Sequence, residues 1–135
     1  GGALGRRLLL KVENVMHSGE ELPQVVRGTL LKDALMEMTH KGLGMTVVIE
    51  EDGRLAGIFT DGDLRRTIVS GRNLATLAVA DAMTRSPRTI SADKLTAEAF
   101  EMMEKHRINQ LPVIDADGLL VGVLNMHDLF RAKVV

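Results

Sequence analysis

The chain has 135 residues, 45% of them apolar and 26% charged, with a formal charge of −1, values that fit one soluble globular domain or two small halves sharing a core. With no Trp, no Tyr, three Phe and no clustered basic run, it lacks the stacking rings and positive field that a nucleic-acid surface needs. The absence of Cys excludes disulfides, thiolate nucleophiles and Cys-based zinc, and the apolar run Leu8–Leu10 is too short for a signal core or a membrane span, so a cytoplasmic protein with no membrane partner is expected.

In chain order, the opening GGALGRRLLLKV starts on Gly rather than Met, as a piece cut from a longer chain would. VENVM (Val12–Met16) and Pro23 follow, then Thr29 as a candidate helix N-cap. Leu31, Ala34, Leu35 and Met38 keep i, i+3, i+4, i+7 spacing, which predicts a helix. MTVVIE (Met45–Glu50) and LAGIF (Leu55–Phe59) are short strand-like runs joined at Asp52-Gly53, a hairpin signal. A second helix is expected from Asp63 to about Ser70-Gly71. Then the order starts again. VADAM (Val79–Met83) and Pro87 lead to Asp93 as N-cap and to Leu95, Ala99, Met102 and Met103 as a looser helical stripe. LPVID (Leu111–Asp115), Asp117-Gly118 and LLVGVL (Leu119–Leu124) form a second hairpin, with a helix from Asp128.

This internal repeat is the organising feature. Its best-matched stretch aligns VIEEDGRLAGIFTDGDLRR with VIDADGLLVGVLNMHDLFR. Each unit reads lead-in, helix, hairpin, helix, which is marginal on its own. Two such units packed face to face would bury both sheets and leave a cleft along a pseudo-twofold axis. The expected fold class is α+β, two pseudo-twofold related units each with a small hairpin-containing sheet and flanking helices. Residues 12–74 and 75–135 are the two units, and residues 1–11 a tail or linker before them.

The repeated Gly-apolar-apolar-Thr-x-x-Asp motif, Gly57–Asp63, and its copy Gly122–Asp128 resemble those of a tandem pair of CBS domains, a Bateman module. The resemblance covers about Val12 to Lys133 and is reinforced by the hairpins and the V-x-x-x-M lead-ins. A narrower resemblance links GGALGRRLLLKVENVMHSGEELP to the junction between a sugar-isomerase (SIS) domain and the CBS pair of bacterial D-arabinose-5-phosphate isomerases. These interconvert ribulose 5-phosphate and arabinose 5-phosphate on the route to the Kdo sugar of lipopolysaccharide. The histidine that directly precedes this stretch in that family is absent here, as is the SIS domain, so the resemblance implies a non-catalytic C-terminal regulatory part whose partner is its own SIS domain.

Thr60-x-x-Asp63 and Asn125-x-x-Asp128 have capping-box spacing with Asp in place of Glu. The same geometry presents free N–H groups and a partial positive end, a seat for phosphate. An ionised Asp repels phosphate, so Asp63 and Asp128 are expected to accept from ribose hydroxyls, as the resemblance also implies, with Thr60 beside the phosphate. The second copy has Asn125 where the family has Thr or Ser, and Gly62 and His127 stand where many CBS motifs carry Arg or Lys. Phosphate is then left to other basic residues: Lys41 and Arg107 before the hairpins, or Arg65, Arg66 and Arg131. With aromatics scarce, walls for a base are expected from Met16, Met45, Val47 and Ile58 in one half and Met83, Pro112 and Val123 in the other. Met45-Thr46 and Asn109-Gln110 sit where the resemblance implies contacts to the base.

Catalytic motifs are absent from the sequence. Asp61 and Asp63 alone do not make a metal site, and DADG (Asp115–Gly118) lacks the later ligands of a calcium loop. The four His show no zinc spacing, and neither a Gly-x-Ser-x-Gly elbow nor a P-loop occurs. The function expected is a regulatory module sensing a nucleotide or nucleotide-sugar, CMP-Kdo first and an adenine nucleotide (AMP or ATP) next, with no required cofactor. The alternative is an assembly module that forms a homodimer through apolar residues around LRRTIV and LFRAKVV.

Overall fold

The computed structural model describes Gly5 and residues 9–134; the GGALGRR stretch therefore lies outside the described residues apart from Gly5. In chain order the elements are α1 (Val12–Val15), β1 (Gln24–Val26), α2 (Leu31–Lys41), β2 (Met45–Ile49), β3 (Leu55–Thr60), α3 (Asp61–Val69), β4 (Thr84–Arg85), β5 (Ile90–Ser91), α4 (Thr96–His106), β6 (Gln110–Ile114), β7 (Leu120–Asn125) and α5 (Met126–Arg131). The chain divides into two compact units: Glu20–Pro87, and Gly1–Gly19 together with Arg88–Val135. This cut differs from the repeat boundary read in the sequence, because each lead-in segment joins the other repeat's hairpin.

In the Glu20–Pro87 unit the sheet order is β1-β2-β3-β4. β1 runs parallel to β2, a pairing that needs a crossover, which α2 supplies. β2 and β3 form the antiparallel hairpin foreseen at Asp52-Gly53, where Gly53 adopts φ 87. The other unit repeats the plan as β5-β6-β7, with β5 parallel to β6 and β6 antiparallel to β7. Here the lead-in contributes an antiparallel bridge, His17 to Val123, beside β7 where β4 lies beside β3.

The cores follow from strand alternation and helical spacing. α2 buries Leu31, Ala34 and Met38 against Val48, Phe59 and Val79. α4 buries Ala99 and Met103 against Val12, Ile90, Leu111, Val113, Leu124 and Leu129. Each fully buried large side chain of this kind contributes about 1.5–3 kcal/mol. Leu35 and Met102, expected in the helical stripes, are half-buried flanks.

Two local expectations are corrected. The N-caps of α2 and α4 are Leu30 and Leu95, not Thr29 and Asp93. Main-chain carbonyls do the capping: Leu31 N–H donates to Leu77 O and Thr96 N–H to Leu10 O, both at 2.8 Å. No side-chain acceptor is needed for those first-turn donors. The second helices begin at Asp61 and Met126, two residues before Asp63 and Asp128.

Candidate functional site

The repeated motif places one carboxylate at the start of α3 and one at the start of α5. Thr60 ends β3 and caps α3. Asp63 N–H donates to Thr60 Oγ1 (3.2 Å), and Asp63 Oδ2 accepts from Thr60 N–H (3.0 Å). This is the reciprocal capping box anticipated from the spacing. Thr60 Oγ1 also donates to Oδ2 (3.2 Å). Asp63 Oδ1 accepts from Arg66 Nη2 (2.6 Å) and from Thr84 Oγ1 (2.8 Å). The residue is 4% exposed.

Asp128 repeats the arrangement with different partners. Its Oδ2 accepts from Asn125 N–H (2.8 Å), and Asn125 Oδ1 accepts from the His127 N–H (2.7 Å). Its Oδ1 meets His17 Nε2 at 2.6 Å and accepts from Arg131 Nη2. Asp128 is 3% exposed. Neither carboxylate points into bulk water. In each unit one acid is tied to a cap amide, to an Arg one turn on, and to the residue that follows the lead-in Met.

That third partner explains the motif glycine. A Cβ on Gly57 would lie 2.7 Å from Met83 Sδ and 2.6 Å from Thr84 O, and one on Gly122 2.7 Å from Met16 Sδ and 2.8 Å from His17 O. Contacts this short are far inside van der Waals distance, so only Gly lets the lead-in lie on the strand. Sequence reasoning missed His17 and Thr84 as partners of the acids. The signal was available: both directly follow the Met of the repeated V-x-x-x-M.

The other expected site residues fall into groups. Met45 stands opposite Thr60 and Val47 opposite Ile58 in the hairpin, so alternation puts all four on the sheet face away from α2. Pro112 opposite Val123, and Gln110 opposite Asn125, match them in the second unit. Thr46 alternates to the α2 side, where it is buried and its Oγ1 donates to Val47 O. Met16 packs against the second core. Asn109 is exposed, with its carbonyl accepting from Met126 N–H. His127 is exposed. Lys41 Nζ is held by Leu22 O and Glu37, both at 3.3 Å. Arg107 is exposed at the C-cap of α4 in a left-handed conformation, φ 55. Arg66 and Arg131, considered for phosphate, are paired to the acids. Away from these groups, the His106 imidazole is held below its ordinary pKa by desolvation, then by the Arg88 and Lys105 charges.

A hairpin followed by a helix capped through a buried acid thus occurs twice in the chain, once in each unit. The CBS domain family model matches residues 12–70 and 79–135, and the chain belongs to that family. A curated relative, arabinose 5-phosphate isomerase KdsD of Pseudomonas aeruginosa, is 60% identical over all 135 residues, which cover 41% of that protein. The chain thus spans about two fifths of the length of the curated relatives it matches. Among solved structures, an uncharacterized conserved protein of Pyrococcus horikoshii aligns at TM-score 0.82 and 29% identity over 93% of both chains. CBSX2 of Arabidopsis thaliana in complex with AMP aligns at TM-score 0.78 and 28% identity, covering 92% of this chain and 96% of that one.

Proposed function

We propose that the chain is the ligand-sensing regulatory part of an arabinose-5-phosphate isomerase of the Kdo pathway, cytoplasmic and attached to a SIS domain. Its effector is a nucleotide or nucleotide-sugar, CMP-Kdo first and AMP or ATP next, held by Asp63 and Asp128 through ribose hydroxyls. The carrying observation is that both repeats bury an acid at a capped helix start, with Thr60 or Asn125 beside it. AMP in the related CBSX2 structure supports an adenine nucleotide. CMP-Kdo follows from the pathway logic of an end product restraining an early step. Regulation requires the effector to bind two states of the module with different affinity.

Calorimetric titration with AMP, ATP, CMP and CMP-Kdo tests this. Asp63→Ala or Asp128→Ala is expected to weaken the cognate ligand about tenfold to a hundredfold, the worth of a charge-assisted hydrogen bond. The same substitutions also remove the acid's hydrogen bonds to Thr60, Thr84 and Arg66, or to Asn125, His17 and Arg131, so a circular-dichroism melt accompanies each titration to check that the variant is folded. Unchanged affinity in both variants refutes the assignment.

A second reading is assembly. Met36 (69% exposed), Ile68 (56%), Val69 (81%) and Phe130 (54%) are large apolar side chains in water. The first lies on α2 and the next two on α3; the same two helices contribute Leu35, Met38, Thr39, Asp61 and Leu64 to the lining of a hollow of about 410 Å³. A homodimer through these helices without nucleotide affinity would show as self-association in sedimentation and flat titrations.

A further inference from the structure

An ionised carboxylate offers about four acceptor positions. At Asp63 all four are filled: Thr60 N–H and Thr60 Oγ1–H on Oδ2, and Arg66 Nη2–H and Thr84 Oγ1–H on Oδ1. A ribose hydroxyl cannot simply add to this acid. One donor has to leave, and the four are not equally removable. The Thr60 amide is part of the cap, and the Thr60 hydroxyl completes the same box. Thr84, on β4 beside β3, is exposed, and its neutral hydroxyl offers a ligand no charge once it turns away. Arg66 is the charged donor of the four: its side chain is 71% exposed, reaching from water onto a buried acid 5% exposed. Its guanidinium rehydrates on release, and it is the donor whose release frees a charge for a ligand to take.

We infer, building on the reading of Asp63 and Asp128 as hydroxyl acceptors, that Arg66 is a latch that sets ligand specificity. It closes the acid to neutral polyols and opens for ligands that carry an anionic group near their hydroxyls. A free nucleoside breaks the Asp63–Arg66 pair and gives Arg66 nothing in return. A nucleotide breaks the same pair, and its phosphate takes the released guanidinium, whose planar donors suit phosphate oxygens. The favoured class is therefore a nucleoside monophosphate or a nucleotide-sugar with a single phosphate, rather than a nucleoside or a neutral sugar. Arg131 repeats the arrangement on Asp128, its side chain 59% exposed and the acid 3%. The second acid carries His17 where the first carries Thr84.

The test titrates the chain and its Arg66→Ala, Arg131→Ala and Arg66→Lys variants with AMP and with adenosine. At the seat whose Asp→Ala variant weakens AMP, Arg→Ala is expected to bind adenosine about threefold more tightly, the worth of an exposed ion pair. The same variant is expected to bind AMP about tenfold more weakly, the worth of a charge-assisted hydrogen bond. Arg66→Lys keeps a charge without the planar donors and falls between. A gain for adenosine is the mark of a latch, since a merely structural arginine loses both ligands and a plain phosphate contact loses AMP alone. Adenosine binding unchanged or weakened in both Arg→Ala variants overturns the latch while leaving the nucleotide reading in place. If neither AMP nor adenosine binds the parent chain or any variant, the adenine-nucleotide reading and the latch fall together.

Discussion

Gly122→Ala tests the packing of the lead-in segment on the hairpin. The new Cβ would meet Met16 Sδ at 2.7 Å and His17 O at 2.8 Å. The sulfur is the far end of a flexible side chain and can swing aside. The oxygen cannot, because His17 O accepts from Val123 N–H and His17 N–H donates to Val123 O, both at 2.9 Å. Making room means lifting residues 16 and 17 off β7. Overpacking costs about 1–3 kcal/mol, and loosening two main-chain hydrogen bonds adds about 1 kcal/mol each. The expected loss is about 3–5 kcal/mol. In urea, with a slope of about 2 kcal/mol per molar, the midpoint should fall by about 1.5–2.5 M. The double variant Met16→Ala/Gly122→Ala relieves the sulfur but not the oxygen, so a substantial part of the loss should persist. Gly122→Ala within about 0.5 kcal/mol of the parent, the range of an ordinary surface substitution, would refute the packing argument. Full recovery in the double variant would refute its main-chain part.

Arg107 occupies the left-handed C-cap of α4, where the equivalent end of α2 has Gly42 at φ 74. A non-Gly residue there costs about 1–2 kcal/mol, so Arg107→Gly should raise the urea midpoint by the equivalent of about 1 kcal/mol; an unchanged or lower midpoint contradicts this. A fragment spanning 20–87 should unfold more cooperatively in a circular-dichroism melt than one spanning 12–74. Only the longer-reaching fragment keeps Val79, fully buried, and the Leu31 N–H to Leu77 O and Val79 N–H to Thr29 O bonds. Equal melts would contradict the observed division of the chain.

Much of the fold was legible because its signals are local. Asp52-Gly53 and Asp117-Gly118 mark hairpins by themselves, and Thr60-x-x-Asp63 marks a helix start through contacts within four residues. Where the stabilising partner is distant in sequence, the reading slipped. Thr29 and Asp93 have the chemistry of caps, yet the donors they would serve bond to the carbonyls of Leu77 and Leu10. β1 and β5 are three and two residues long, too short to show a period. Asp63 and Asp128 were identifiable as the chemically distinctive members of the repeat. That each already holds an arginine one turn on was not, since Arg at i+3 on a helix reads equally well as a solvated face.

The duplication has a physical cause that neither copy shows alone. Asp63, in the first repeat, is completed by Thr84 from the lead-in of the second. Asp128, in the second, is completed by His17 from the lead-in of the first. Met83 covers Gly57, and Met16 covers Gly122, in the same crossed fashion. A single repeat therefore leaves its motif glycine uncovered and its buried acid one partner short, and an under-paired buried charge is costly. The crossing also makes the two seats unequal. Thr84 offers a hydroxyl at 2.8 Å, whereas His17 brings an imidazole Nε2 to 2.6 Å from its acid.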